Sequence, residues 1–140
     1  KAIRRQRQMC IRDSLAGEIS EERQNYAKVL SGLIIEKLEK LELPKVKFEI
    51  HFERGELSAN GFDKVEFLIS TNISEGLKPL AKVASGGEIS RVMLAIKTIF
   101  AQSDNIGTVI FDEIDTGISG KTSQAVADES RRLLNLCRLL

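Results

Sequence analysis

An apolar stripe recurs at steps of three and four from Ile19 through Tyr26, Val29, Leu30, Leu33, Ile34 and Leu38 to Leu41, with Glu and Lys filling positions between. That period is helical and predicts one long helix over residues 15–43. The stripe comes close to a heptad sustained for about three to four repeats, so the helix is suited to pairing with another. Pro44 predicts its end, because proline removes a donor and clashes with the preceding turn.

The period then changes. Val46, Phe48, Ile50 and Phe52 alternate with Lys47, Glu49 and His51, and Val65, Phe67 and Ile69 alternate with Glu66 and Leu68. The turn residues Gly55, Asn60 and Gly61 lie between, so an antiparallel strand pair is expected over residues 45–53 and 64–71. Alternation sets His51 on the solvent side, and the chain has no second histidine to join it at a metal. After a looser loop broken by Gly76 and Pro79, a second helix carries Ile89, Val92, Met93, Ile96, Ile99 and Phe100 on one stripe. Ser90, Arg91 and Lys97 fall off that stripe. Residues 108–111 predict a short buried strand, and Lys121 to about Leu136 a final helix. The alternation of helix, strand and helix predicts an α/β fold with at least one internal strand.

Composition sets the outer bounds. The 140 residues are 42% apolar, enough for a modest core. Lys and Arg number 21 against 20 Asp and Glu, so no global basic field argues for or against nucleic acid. Cys10 and Cys137 form no CxxC pair, which fits a reducing compartment rather than a disulfide framework or a cysteine zinc site. No apolar run reaches the length of a membrane span and no charged-then-apolar leader is present, so the expected location is the cytoplasm. Residues 1–14 are basic and unpatterned, with Arg4, Arg5, Arg7 and Arg12 against Asp13. A frayed terminus is expected there.

Two short motifs carry chemistry. Ser85-Gly86-Gly87-Glu88 opens the second helix. As a capping box, Ser85 accepts from a backbone amide and Glu88 reaches back. Two consecutive glycines are poor helix starters unless something approaches the backbone closely, and bare amides at a helix N-terminus form an anion seat. By itself the turn reads equally well either way. Asp112-Glu113 follows the expected strand, where open α/β sheets bind ligands outside the carboxyl ends. An aspartate there can hold Mg²⁺ through water, and the adjacent glutamate can polarise an attacking water. An isolated strand ending in two acids is commonly only a polar turn. Combined with the glycine turn and the amphipathic helix, it points to phosphate chemistry.

Gly120-Lys121-Thr122 imitates the end of a phosphate-binding P-loop. Where that motif has its first glycine this chain has Asp115, and with Asp112 and Glu113 nearby the loop would repel a triphosphate. Ser119 or Gly120 is expected simply to cap the last helix.

The run from Ala84 through Ser85-Gly86-Gly87-Glu88-Ile89-Ser90-Arg91 to Lys97 resembles the signature motif of ABC-type ATPase heads in SMC-like chromosome and repair proteins. The run Phe111-Asp112-Glu113-Ile114-Asp115-Thr116-Gly117-Ile118-Ser119-Gly120 resembles the Walker B and D-loop of a bacterial DNA-repair branch of that family. The likeness extends over roughly residues 20–129. It implies an α/β fold, namely the C-terminal lobe of an ABC/SMC-type P-loop ATPase head with an N-terminal coiled-coil-root helix and an antiparallel strand pair. Residues 1–14 would then lie outside the family, 15–43 would root the returning arm, and 44–140 would form an incomplete lobe.

The same resemblance implies roles. Ser85, Gly86, Gly87 and Glu88 would meet the γ-phosphate of ATP held by a second head. Asp112 would position Mg²⁺ through water, and Glu113 would be the catalytic base. Asp115, Thr116, Gly117, Ile118 and Ser119 would lie across the head–head interface, with Ser119 where many ABC proteins have aspartate. The implied cofactors are ATP and Mg²⁺. The implied partners are the protein's own N-terminal lobe, a second head in a homodimer, and DNA, with no membrane. The implied setting is the bacterial cytoplasm at the nucleoid, in double-strand-break repair and recombination. These residues include no complete P-loop, glutamine loop or switch histidine, so the chain alone is expected not to hydrolyse ATP. Residues 1–14 and about 130–140 fit the family poorly and are expected to be foreign to it. Two other readings stay open: a head from another SMC-like or ABC protein, and a non-catalytic interaction module whose glycine turn and acids are only caps.

Overall fold

The computed structural model describes residues 2–72, 75–83, 85–101, 108–118 and 120–137. Helix α1 runs from Ala2 to Lys40. Residues 2–14, expected to fray, therefore continue the helix. Once a helix is nucleated each further residue adds a hydrogen bond, and this stretch contains no proline and several good helix formers.

The other end stops before Pro44 can act. Glu42 adopts a left-handed φ of 59°. The Leu43 amide donates to the Leu38 carbonyl at 3.0 Å and the Glu42 amide to that of Glu39 at 3.1 Å. This pair of bonds is a Schellman cap, which usually recruits glycine. Here Leu38 is buried and Leu43 packs against the same core, which offsets the steric cost of a left-handed glutamate.

Strands β1 (Lys47–Ser58) and β2 (Gly61–Ser70) form the expected antiparallel pair. Phe48 faces Ile69, Ile50 faces Phe67 and Phe52 faces Val65, so the alternating apolar residues of both strands share one surface. The strands outrun their expected lengths, and the register shifts between Arg54 and Ser58. At the tip Gly61 takes a φ of 92°, and the Ser58 hydroxyl donates to its carbonyl at 2.8 Å. A two-residue strand, β3 (Lys78–Pro79), pairs with β2 and gives the sheet order β1-β2-β3. So short a strand leaves no period in a sequence.

The C-terminal half of α1 crosses the apolar face of this sheet. Ile34, Leu38 and Leu41 join Phe48 and Ile69 there, together with Val92, Leu94, Ala95 and Ile96 of helix α2 (Gly86–Phe100). Helix α3 (Lys121–Cys137) adds Val126 and Leu133, and a Lys37–Glu129 ion pair joins it to α1. The α1 stripe is thereby divided. Ile34, Leu38 and Leu41 are buried, whereas Ile19, Tyr26, Val29 and Leu33 remain exposed. Tyr26, Val29 and Leu33 line a groove of about 500 Å³, together with Ile50, Phe52 and Phe67.

One expectation is corrected. Residues 108–111 form no strand, and Ile110 is 87% exposed. A buried parallel strand needs neighbours on both edges, and the described strands pair only with one another. The described residues thus form a small α/β domain of three α-helices and a three-stranded antiparallel sheet. None of its helices is long and apolar enough to cross a membrane.

A polar anchor fixes the hairpin to α1. Asp63 accepts from Ser20 Oγ at 2.7 Å and from Arg23 Nη1 at 2.9 Å. Burial alone would raise the Asp63 carboxyl, but the Ser20 and Arg23 hydrogen bonds and the Arg23 charge outweigh it and hold the carboxyl below its ordinary value. Because the folded value is depressed, the anchor's contribution is present above the unfolded value of 3.8 and is lost as pH falls through the lower folded value. Asp63→Asn should therefore cost about 1 kcal/mol near neutrality, the partly exposed Arg23 limiting the effect. In urea titrations the gap between wild type and variant should close as pH drops below 3.8; a gap independent of pH would show that the Asp63 charge does not anchor the hairpin.

Candidate functional site

Ser85 caps α2. Its φ of −89° is extended, and its hydroxyl oxygen accepts from the Glu88 amide at 3.4 Å. The Ser85 carbonyl takes the first helical bond from the Ile89 amide at 3.0 Å. The Ser85 half of the capping box thus holds as local geometry, without a return bond to the Glu88 side chain. It leaves unexplained why Gly86 and Gly87 follow, and the packing around them supplies the reason.

A Cβ placed on Gly86 would lie 2.0 Å from Oε2 of Glu113. One placed on Gly87 would lie 2.9 Å from the Thr116 carbonyl oxygen and 3.2 Å from that of Glu113. The acid-bearing loop therefore sits directly on the bare backbone of the first turn of α2. The Glu113 carboxylate rests where unpaired amides and the helix dipole favour negative charge. Glu113 has a left-handed φ of 54°, and the Thr116 amide closes the turn by donating to its carbonyl at 3.0 Å.

Side chains of α2 hold the same loop. Ser90 Oγ donates to the Asp112 carbonyl at 2.5 Å, and Arg91 Nη1 to the Thr116 carbonyl at 3.3 Å. Both residues lie off the apolar stripe of α2, where solvent exposure is expected, yet Arg91 is only 8% exposed. One signal was available: Arg91 stands one helical turn beyond Gly87, on the face that the missing side chain opens.

The expected site residues are thus partly assembled. Ser85, Gly86, Gly87 and Glu88 form the first turn of α2, and Glu113 lies against it. Asp112, Asp115, Thr116 and Gly117 are exposed along the loop, with Ile118 half-buried beyond them. Ser119 lies outside the described residues. Among those described, no three His, Cys, Asp or Glu side chains converge in a metal-holding cluster. The imitation P-loop is no phosphate cradle: Lys121 is largely exposed and pairs with Glu42 at 3.1 Å. Gly120, with a φ of 51°, instead accepts from the Gln124 amide at 3.2 Å and starts α3.

No protein-family model matches the chain. Curated proteins do. The DNA repair protein RecN of Halalkalibacterium halodurans is 48% identical over 116 residues, covering 79% of this chain and 20% of that protein. RecN of Bacillus subtilis is 42% identical over 134 residues, covering 84% of this chain and 23% of that protein. The chain corresponds to part of a RecN protein. RecN of Treponema pallidum is 62% identical over 73 residues, 52% of this chain and 13% of that protein. The chain spans about a fifth of the length of the first two RecN relatives. These matches bear out the DNA-repair branch to which the two motifs pointed.

The two glycines should differ in tolerance. Gly86→Ala meets the end of a flexible side chain, so Glu113 can swing aside, and the helix gains up to about 1 kcal/mol in propensity. Gly87→Ala meets backbone atoms of the loop and must displace it. Thermal melts should place Gly86→Ala at or above wild type and Gly87→Ala below. The reverse order would contradict the backbone contact at Gly87.

Proposed function

We propose that this chain forms the C-terminal lobe of an ATPase head in a RecN-type DNA repair protein, with ATP bound and hydrolysed where two heads meet. The observation that carries this reading is the acid loop seated on the glycine-opened N-terminus of α2. A first turn without side chains lets the phosphate oxygens of one nucleotide reach backbone donors, and the exposed carboxylate on the adjoining loop can accept a proton from water at another. In this reading Ser85, Gly86, Gly87 and Glu88 receive the γ-phosphate of the nucleotide held by the opposite head. Glu113 is the base for the attacking water on its own nucleotide. The stretch from Asp115 to Ser119 faces the second head.

The donor set suits Mg²⁺. Asp112, Glu113 and Asp115 offer exposed carboxylate oxygens, and Mg²⁺ characteristically takes one or two carboxylates plus phosphate and water. Asp112 would hold it, and the bound ion would neutralise charge on the transferring phosphoryl group.

The rest of the lobe fits the same reading. The P-loop would come from an N-terminal lobe. Residues 108–111, with Ile110 turned outward, would gain strand partners from that lobe's sheet. The exposed Ile19, Tyr26, Val29 and Leu33 of α1 would take the second helix of a coiled-coil arm. DNA would be the substrate of the assembled dimer, in double-strand-break repair and recombination.

The test uses the protein that joins this chain to a P-loop lobe. Glu113→Gln should bind ATP, hold an ATP-dependent dimer in light scattering, and lose about 100-fold or more in steady-state hydrolysis. Hydrolysis at the wild-type rate would remove Glu113 as the base. Ser85→Arg should abolish the ATP-dependent dimer while single heads still bind nucleotide; a dimer of unchanged stability would count against the phosphate-receiving role of the turn.

A further inference from the structure

We infer that Ser90 and Arg91 are positioning residues that couple the glycine turn to the acid loop, so that the placement of Glu113 depends on what occupies the N-terminus of α2. This rests on the head reading above and concerns how its two halves communicate.

The two residues grip the loop on either side of Glu113. Ser90 holds the carbonyl of Asp112, immediately before it, and Arg91 holds that of Thr116, at the far end of the same turn. Between these grips Glu113 carries a left-handed φ, a conformation that a non-glycine residue keeps only when its surroundings impose it. Its carboxylate is thereby directed onto Gly86.

Arg91 is the more telling of the pair. It is buried, its Nη1 bond to Thr116 is long at 3.3 Å, and its Nε is buried with no hydrogen-bond partner. Desolvating a guanidinium for so little is poor value for stability, and an apolar side chain of similar volume would pack at lower cost. The arrangement instead gives a long, planar side chain running from the backbone of α2 beside Gly87 to the far wall of the acid loop. Gly87 lets the loop's carbonyls come within contact distance of that backbone. The first turns of α2 and residues 112–116 therefore form one mechanical unit. A phosphate arriving at the glycine turn meets the Glu113 carboxylate already lying over Gly86, and the two grips decide where the displaced carboxylate goes.

Two measurements test this. In the 140-residue chain, hydrogen exchange of residues 112–117 should accelerate about tenfold in Ser90→Ala and in Arg91→Met, roughly one net hydrogen bond each, while exchange in β1 and β2 stays unchanged. Arg91→Lys should recover part of the protection. In the protein joined to a P-loop lobe, Ser90→Ala and Arg91→Met should lower kcat about tenfold with ATP affinity and KM unaltered, and Arg91→Lys should restore part of kcat. If Glu113→Gln abolishes turnover while both variants match wild type in exchange and kcat, the coupling is wrong and the head reading stands. If Glu113→Gln turns over normally, the head reading falls, and the exchange rates alone then decide whether the grips hold the loop.

Discussion

The structure depends on one buried contact, that of Ile34, Leu38 and Leu41 with the apolar faces of the sheet and α2. Phe48 and Ile69 meet α1 there from the hairpin, and Val92, Leu94 and Ala95 meet it from α2. Ile34, Leu38, Ile69, Val92 and Leu94 are completely excluded from solvent. Each such side chain contributes about 1.5–3 kcal/mol relative to exposure. Remove this contact and the hairpin, the α2–α3 pair and the long helix have no common surface. The site inherits its geometry from it, because the buried flank of α2 fixes the direction in which Gly86, Ser90 and Arg91 face.

Patterning made the frame readable. The α1 stripe, the alternating strands and the Ile89–Phe100 stripe each declare which side chains seek burial, and each element is found. What patterning cannot declare is whether partners are present. Residues 108–111 look like a buried strand in apolar content, yet no described strand lies beside them and they stay irregular. The same limit hid β3, whose existence depends wholly on the edge of β2. The helix start at Ala2 was lost for a different reason: propagation of an existing helix requires no apolar period at all.

The site was legible in its residue types but not in its contacts. Two glycines announced a close approach, and the acids announced charge. That one group would approach the other could not be read from either, since the turn that brings Glu113 back onto α2 relies on a left-handed residue that is not glycine. Arg91 shows the corresponding blind spot. A charged residue off an apolar stripe reads as solvated, but the empty space above Gly87 admits a carbonyl that draws the guanidinium inward.

The continuity of α1 has a mechanical consequence. Its 39 residues form one helix about 58 Å long, whose C-terminal end is locked into the core by Leu38 and closed by the Glu42 cap. No proline or break softens the exit, so the helix acts as a stiff pointer. Asp63 holds the same helix again at Ser20 and Arg23, so only the turns before Ser20, about 27 Å of helix, project beyond the second anchor. A tilt of roughly 5° there displaces the far end by about 2 Å, and the two anchors together pass any movement of the core into the hairpin as well as into the distal turns.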